Sequence, residues 1–306
     1  MILDEIIAHK RREIKACKKR VPQRELEQRL GQIEVPRNLL NALRSGHSAL
    51  GTQHSPLSTQ HSGLSTQDSA LVSPQSKIAN RKSKIAIIAE CKRSSPSRGL
   101  IRDPYDPAAI ARSYETNGAA AISVLTDKKY FGGALDHLEA VHFAVGVPVL
   151  RKEFILDEYQ VFEARAAGAD AVLLIAATLD RAQMRDLLDI VWALRMHALV
   201  EVHDAREIER AAESNTGIIG INNRNLDTLE VDLRHTERLL PLLPANVLVV
   251  SESGIRSRDD LTYLRDLGVH AVLIGEHFMS APDPGLALAE LMGHYTGQDG
   301  QDRQDG

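Results

Sequence analysis

The sequence predicts an α/β protein built as a closed (β/α)8 barrel, a TIM barrel, behind an N-terminal helical extension. Three observations carry this expectation. Between residues 84 and 293, short β-branched apolar runs alternate with longer amphipathic ones, as strands separated by crossover helices do. About eight such units fit into about 210 residues, which suits this barrel better than an open doubly wound sheet with its smaller strand number. The first strand also runs into Cys91-Lys92-Arg93-Ser94-Ser95-Pro96 and not into a G-x-G-x-x-G turn.

Along the chain, residues 1–44 read as helical, with Leu3, Ile6, Ile7 and Ile14 at helical spacing among charged residues. Pro22 and Pro36 divide them into two or three short helices. In residues 45–83, Thr52-Gln53-His54-Ser55, Thr59-Gln60-His61-Ser62 and Thr66-Gln67-Asp68-Ser69 recur with leucines at 50, 57, 64 and 71. One apolar residue per repeat and no charged flanks argue against a coiled coil, and such a tract buries too little to offset its ordering entropy. It is expected to be a disordered low-complexity insert, and His54 and His61 are read as part of that tract, not as metal ligands. Strands are expected at Ile85–Ala89, Ala120–Leu125, Val147–Leu150, Ala169–Ile175, Leu199–Val202, Gly217–Ile221, Val247–Val250 and Ala271–Ile274. Helices fall between them at Pro107–Asn117, Glu158–Ala167, Arg181–Met196, Ala205–Ser214, Ser257–Leu267 and Pro284–Met292, three ending at Gly118, Gly168 and Gly268. Residues 294–306 read as a frayed polar tail.

Composition narrows the function. The 306 residues are 43% hydrophobic and 25% charged, with a formal charge of -4, so no basic field is available to hold nucleic acid. Cys17 and Cys91 match no metal or redox spacing. The start Met1-Ile2-Leu3-Asp4-Glu5 does not read as a signal peptide, and no membrane-spanning run is expected. A cytoplasmic enzyme without metal, nucleic-acid or membrane partner is expected.

In this barrel type the working groups sit at the carboxyl ends of the strands. Those ends read Ala89-Glu90-Cys91-Lys92, Leu150-Arg151-Lys152-Glu153, Val200-Glu201-Val202, Ile221-Asn222-Asn223-Arg224, Ser251-Glu252-Ser253-Gly254 and Ile274-Gly275-Glu276. Strand alternation puts Glu90 and Lys92 on one face and turns Cys91 towards the helices. The same parity sends Lys152 and Glu201 to the barrel mouth. One charge at a strand end is usually a rim ion pair, but two lysines and two glutamates spread over at least three strands point to a catalytic cluster. Ser253-Gly254 and Gly275-Glu276 each precede a helix, and their backbone amides suit a phosphate site at the seventh and eighth loops.

These segments resemble indole-3-glycerol-phosphate synthase, a barrel enzyme of tryptophan biosynthesis. The similarity lies in Ile88 to Ser97, Ser123 to Asp127 with Tyr130-Phe131-Gly132-Gly133, Leu150 to Phe154, Leu199 to Val202, Gly220 to Leu226, Ser251 to Ile255 and Leu273 to Glu276. Ile2–Lys15 looks like the family's N-terminal extension, while the 45–83 insert departs from the family pattern. The resemblance implies decarboxylative ring closure of 1-(2-carboxyphenylamino)-1-deoxyribulose 5-phosphate, with no cofactor. It implies that Lys152 protonates the ketone oxygen and that Glu201 and Lys92 serve the dehydration. Glu90 and Asn222 would hold that centre. Ser95, Phe131, Leu173, Arg224, Glu252, Ser253, Gly254, Gly275 and Glu276 would bind the small phosphorylated substrate. The sequence leaves the oligomeric state open: a monomer is compatible with it, and so are other pathway enzymes as partners. Two alternatives stand beside this reading. A phosphoribosylanthranilate isomerase-like barrel would need a cysteine acid-base group, for which Cys91 has the wrong parity. A non-catalytic scaffold would use the insert to recruit a partner.

Overall fold

The computed structural model describes residues 2–45, 84–225 and 228–294. The expected disordered insert and tail, apart from Ser45 and His294, lie outside the described residues, as does Leu226. Eight parallel strands form one closed barrel: β1 (Ala86–Cys91), β2 (Ala121–Leu125), β3 (Val149–Lys152), β4 (Ala171–Ile175), β5 (His197–Val202), β6 (Ile218–Asn222), β7 (Leu248–Glu252) and β8 (Ala271–Ile274). Each pairs with its sequence neighbours, and β8 closes on β1 from Ala86↔Ala271 to Ala89↔Ile274. A small hairpin of Ser94–Ser95 with Gly99–Leu100 follows β1.

Strand alternation sorts the core into two shells. Ile88, Leu150, Leu173, Leu199, Val250 and Leu273 fill the barrel. Ile87, Ala89, Cys91, Val124, Val149 and Ile221 meet the surrounding helices. Those helices are α4 (Pro107–Thr116), α5 (Lys128–Phe131), α6 (Leu135–Ala144), α7 (Glu158–Ala166), α8 (Arg181–Ala193), α9 (Ala205–Glu213), α10 (Arg234–Leu239), α11 (Arg258–Leu267), α12 (Glu276–Met279) and α13 (Pro284–Met292). Asp106, Asp157, Asp180, Asp204, Ser257 and Asp283 accept from first-turn amides of α4, α7, α8, α9, α11 and α13. Each such cap contributes about 1 kcal/mol and fixes where its helix begins. Gly118, Gly168 and Gly268, with φ of 107°, 87° and 94°, end the three helices expected to stop there.

Several expected boundaries are corrected. The first, third, sixth and seventh strands run on through Cys91, Lys152, Asn222 and Glu252. Pairings such as Leu125↔Lys152 and Asn222↔Glu252 keep their backbones in the ladder. Hydropathy ends a strand at its first polar side chain, whereas hydrogen bonding does not. Helices α5, α6, α10 and α12 lie outside the stretches named from the sequence; three are six residues or shorter, and α6, which begins at Leu135 after Ala134, has no side-chain cap.

The N-terminal extension forms three helices: α1 (Ile2–Arg20), α2 (Gln23–Leu30) and α3 (Leu39–Arg44). At 19 residues, α1 is not short. Leu39 and Leu43 of α3 pack on Ala86, Ala121, Ala171 and Ala271 and seal the amino-terminal mouth of the barrel. Arg37 locks the approach to α3 by giving its amide to Asp170 at 2.7 Å and its guanidinium to the Val147 and His142 carbonyls at 3.0 Å. Among the described residues, no helix is long and apolar enough to cross a membrane.

Candidate active site

At the opposite, carboxyl-terminal mouth, four strands send polar side chains into one cavity of about 410 Å³. Glu90 and Lys92 project from the end of β1 on the expected face. The Lys92 ammonium lies 2.7 Å from Glu90 Oε1. Lys152, from β3, occupies the centre, 2.6 Å from Glu252 Oε2 of β7, 3.6 Å from Glu201 Oε2 of β5 and 3.8 Å from Glu90 Oε2. Asn222 of β6 donates from Nδ2 to Glu201 Oε1 at 3.1 Å. Three carboxylates from three strands therefore converge on one lysine.

Two glycines make room for this crowding. A Cβ on Gly220 would stand 2.2 Å from Glu252 Oε1, and one on Gly275 would stand 2.4 Å from Glu90 Oε1. Gly275 was expected to serve a phosphate; its missing side chain also accommodates a carboxylate of the central cluster.

The electrostatics follow from burial working against pairing. Burial alone would lower the Lys152 pKa, yet Glu252, Glu201 and Glu90 outweigh it and keep the ammonium protonated well above the usual lysine range. Burial would raise Glu201, but Lys152, the His203 imidazole and the Asn222 amide bring it down to about 2. Burial likewise opposes ionisation of Glu90, and Lys92 and Lys152 prevail, holding it below the ordinary carboxylate value. Glu252 goes the other way: burial, with Glu201 and Glu90 nearby, pushes it up to about 7 despite Lys152. A cluster holding two ionised carboxylates, a protonated amine and one carboxyl that titrates near neutrality can move protons in either direction.

The expected binding residues surround this centre. Leu173 and Phe131 line the cavity, and Phe131 faces Phe154 at 6.2 Å between ring centroids. Ser95, Ser253 and Gly254 also line it, and Ser253 and Gly254 adopt consecutive positive φ values of 68° and 87°. This turn directs the backbone after β7 into the mouth. The Ser253 hydroxyl donates to Asn222 Oδ1 at 2.9 Å, joining the polar rim to the centre. Arg224 and Glu276 line the cavity too, but as partners: Arg224 Nη2 lies 3.4 Å from Glu276 Oε2, and Arg98 Nε 3.0 Å from Glu276 Oε1.

Sequence reasoning missed several participants. Glu252 was expected only to bind substrate, yet it is the nearest partner of Lys152. His203 stands behind Glu201, with Nε2 3.3 Å from its Oε1 and Nδ1 3.1 Å from Glu207 Oε2. Its position two residues after Glu201 was the available signal. Phe154, Arg98 and Arg256, and Ile2, Leu3 and Ile6 of α1, line the cavity as well. Cys91 points into the helix layer, 3.9 Å from the Pro107 carbonyl oxygen, and burial drives its thiol well above the normal range. It cannot act as an acid-base group in the mouth. Among the described residues, no group of three or more His, Cys, Asp or Glu side chains is arranged to hold a metal ion.

Comparison with known proteins agrees with this arrangement. In solved structures the fold resembles a thiamine phosphate pyrophosphorylase from Pyrococcus furiosus, with a TM-score of 0.52 at 16% identity over 71% of this chain and 96% of that one. That similarity concerns architecture alone. Closer in sequence are an indole-3-glycerol phosphate synthase of Albidiferax ferrireducens, 57% identical over 67% of this chain and 78% of its own length, and one of a Polaromonas species, 44% identical over 95% and 98%. The family model described as indole-3-glycerol phosphate synthase matches residues 51–291, and with these relatives it shows that the chain belongs to the indole-3-glycerol phosphate synthase family.

Proposed function

We propose that the barrel converts 1-(2-carboxyphenylamino)-1-deoxyribulose 5-phosphate into indole-3-glycerol phosphate, carbon dioxide and water, with Lys152 as the principal acid. The observation that carries this reading is the bracketing of Lys152, which lines the cavity, by Glu252, Glu201 and Glu90. As the aromatic carbon bearing the carboxylate attacks the ketone, negative charge develops on the ketone oxygen, and the Lys152 proton moves onto it. Loss of carbon dioxide returns its bonding pair to the ring and restores aromaticity, so the substrate provides its own electron sink. The remaining hydroxyl leaves as water, with a proton delivered by Lys92 and one removed by Glu201. Glu90, hydrogen-bonded to Lys92, orients that acid, and Asn222 orients Glu201.

Leu173 and Phe131 provide an apolar wall for the aromatic ring. Ser95, with the turns Ser253-Gly254 and Gly275-Glu276, suits the phosphate dianion. Arg224, balanced by Glu276, sets the charge at that rim. The barrel of residues 84–293 is the catalytic unit and residues 1–44 its helical extension. Reduced Cys17 and Cys91 support a cytoplasmic setting.

The test is formation of indole-3-glycerol phosphate from the purified protein, followed by indole absorbance. Lys152→Met is expected to keep the native circular dichroism spectrum and lose about 10²–10⁴-fold in kcat, the span of a lost general acid. A folded wild-type protein that releases no indole product would overturn the assignment.

A further inference from the structure

Lys10, on α1, is only 2% exposed. Its ammonium lies 2.7 Å from Glu13 on the same helix, 2.9 Å from Asp127 just beyond β2 and 3.0 Å from Glu153 just beyond β3. Each barrel carboxylate also holds a piece of the cavity wall. Asp127 Oδ1 accepts from the Tyr130 amide at 2.7 Å and caps α5, which carries Phe131. Glu153 accepts from the Phe154 amide and from the Thr126 hydroxyl, both at 2.8 Å. Glu153 also directly follows Lys152.

We infer that Lys10 is a positioning residue for the aromatic wall: it clamps α1 to the two carboxylates that set Phe131 and Phe154, and so governs substrate binding from outside the cavity. The inference rests on the substrate reading above. Burying a lysine this completely is costly unless it is fully paired, and a helix could be docked more cheaply at the surface. Lys18 of α1 does so, reaching Asp157 at 2.7 Å with both side chains partly exposed and neither lining the cavity. Burial would strip the Lys10 proton, but Glu153 and Asp127 outweigh it, so the clamp stays charged.

The experiment compares steady-state kinetics and amide hydrogen exchange in the full chain and in Lys10→Met, Lys10→Arg and Lys18→Met. Lys10→Met is expected to raise KM about tenfold while kcat changes less than about threefold, the sign of lost binding and not of lost chemistry. Exchange at the Tyr130 and Phe154 amides should quicken. Lys10→Arg should recover most of the KM, and Lys18→Met should match wild type. If Lys10→Met does not accumulate as folded protein, Asp127→Asn keeps an acceptor for the Tyr130 amide while removing the charge, and the same KM rise is expected. Unchanged KM and unchanged exchange in the folded variant, or an equal KM rise in Lys18→Met, would overturn the inference. A wild-type protein without turnover would defeat the substrate reading instead, and exchange at the two amides would then decide on Lys10.

Discussion

His203 illustrates how much of the site depends on side chains one layer back from the cavity. Its ring lies between Glu201 and Glu207, its amide donates to Glu207 at 2.7 Å, and its carbonyl oxygen accepts from His235 Nε2 at 2.8 Å. Burial would lower its pKa, but the two carboxylates win and raise it from 6.5 to about 10. The folded state therefore binds this proton more tightly than the unfolded chain. The resulting stability is fully present below about pH 6.5 and is lost as pH rises through about 10. Imidazole nitrogen shifts should report a doubly protonated ring from pH 6 to about 9, and His203→Gln should flatten the decline in stability above neutrality. A neutral ring at pH 7.5 would contradict this. At this scale, alternation made the inward face of Glu90, Lys92, Lys152 and Glu201 legible in the sequence. The pairing of Lys152 with Glu252 was not legible, because it depends on how strands 100 residues apart are staggered around a closed barrel. Gly220 was opaque for the same reason: its missing Cβ answers to a carboxylate on another strand.

The N-terminal elements divide their work between the two mouths. Helix α1 lines the catalytic side through Ile2, Leu3 and Ile6, while α3 closes the far side with Leu39 and Leu43. Leu39 is fully buried against the small side chains of the barrel floor, where a cavity could not easily collapse because the strands are fixed by pairing on both sides. Leu39→Ala should therefore cost about 2–5 kcal/mol in denaturant unfolding. Being at the mouth opposite the site, it should leave KM within about twofold of wild type, which separates a stability role from the binding role inferred for α1. Helical spacing and the two prolines were enough to read the extension as helical. Neither could say which helix would reach which mouth, since both present ordinary apolar stripes and their destinations are set by contacts with the barrel.

For the molecule as a whole, the repeat-bearing segment joins an extension and a barrel that already fit each other. At the end of helix α3 the Ser45 amide donates to the Asn41 carbonyl at 3.0 Å and the Ser45 hydroxyl to the same oxygen at 2.9 Å. The chain re-enters at Lys84, just before β1, whose first residue Ala86 packs with Leu39 and Leu43. Both junctions thus belong to the mouth opposite Lys152. Loop-closure entropy changes slowly with length, so replacing residues 46–83 with about ten flexible residues should alter stability by only about 1 kcal/mol, in the favourable direction. The shortened protein is expected to keep kcat/KM within about twofold and its melting temperature undiminished, measured beside wild type in the indole assay and by thermal unfolding. A large fall in kcat/KM with an intact fold would contradict this expectation.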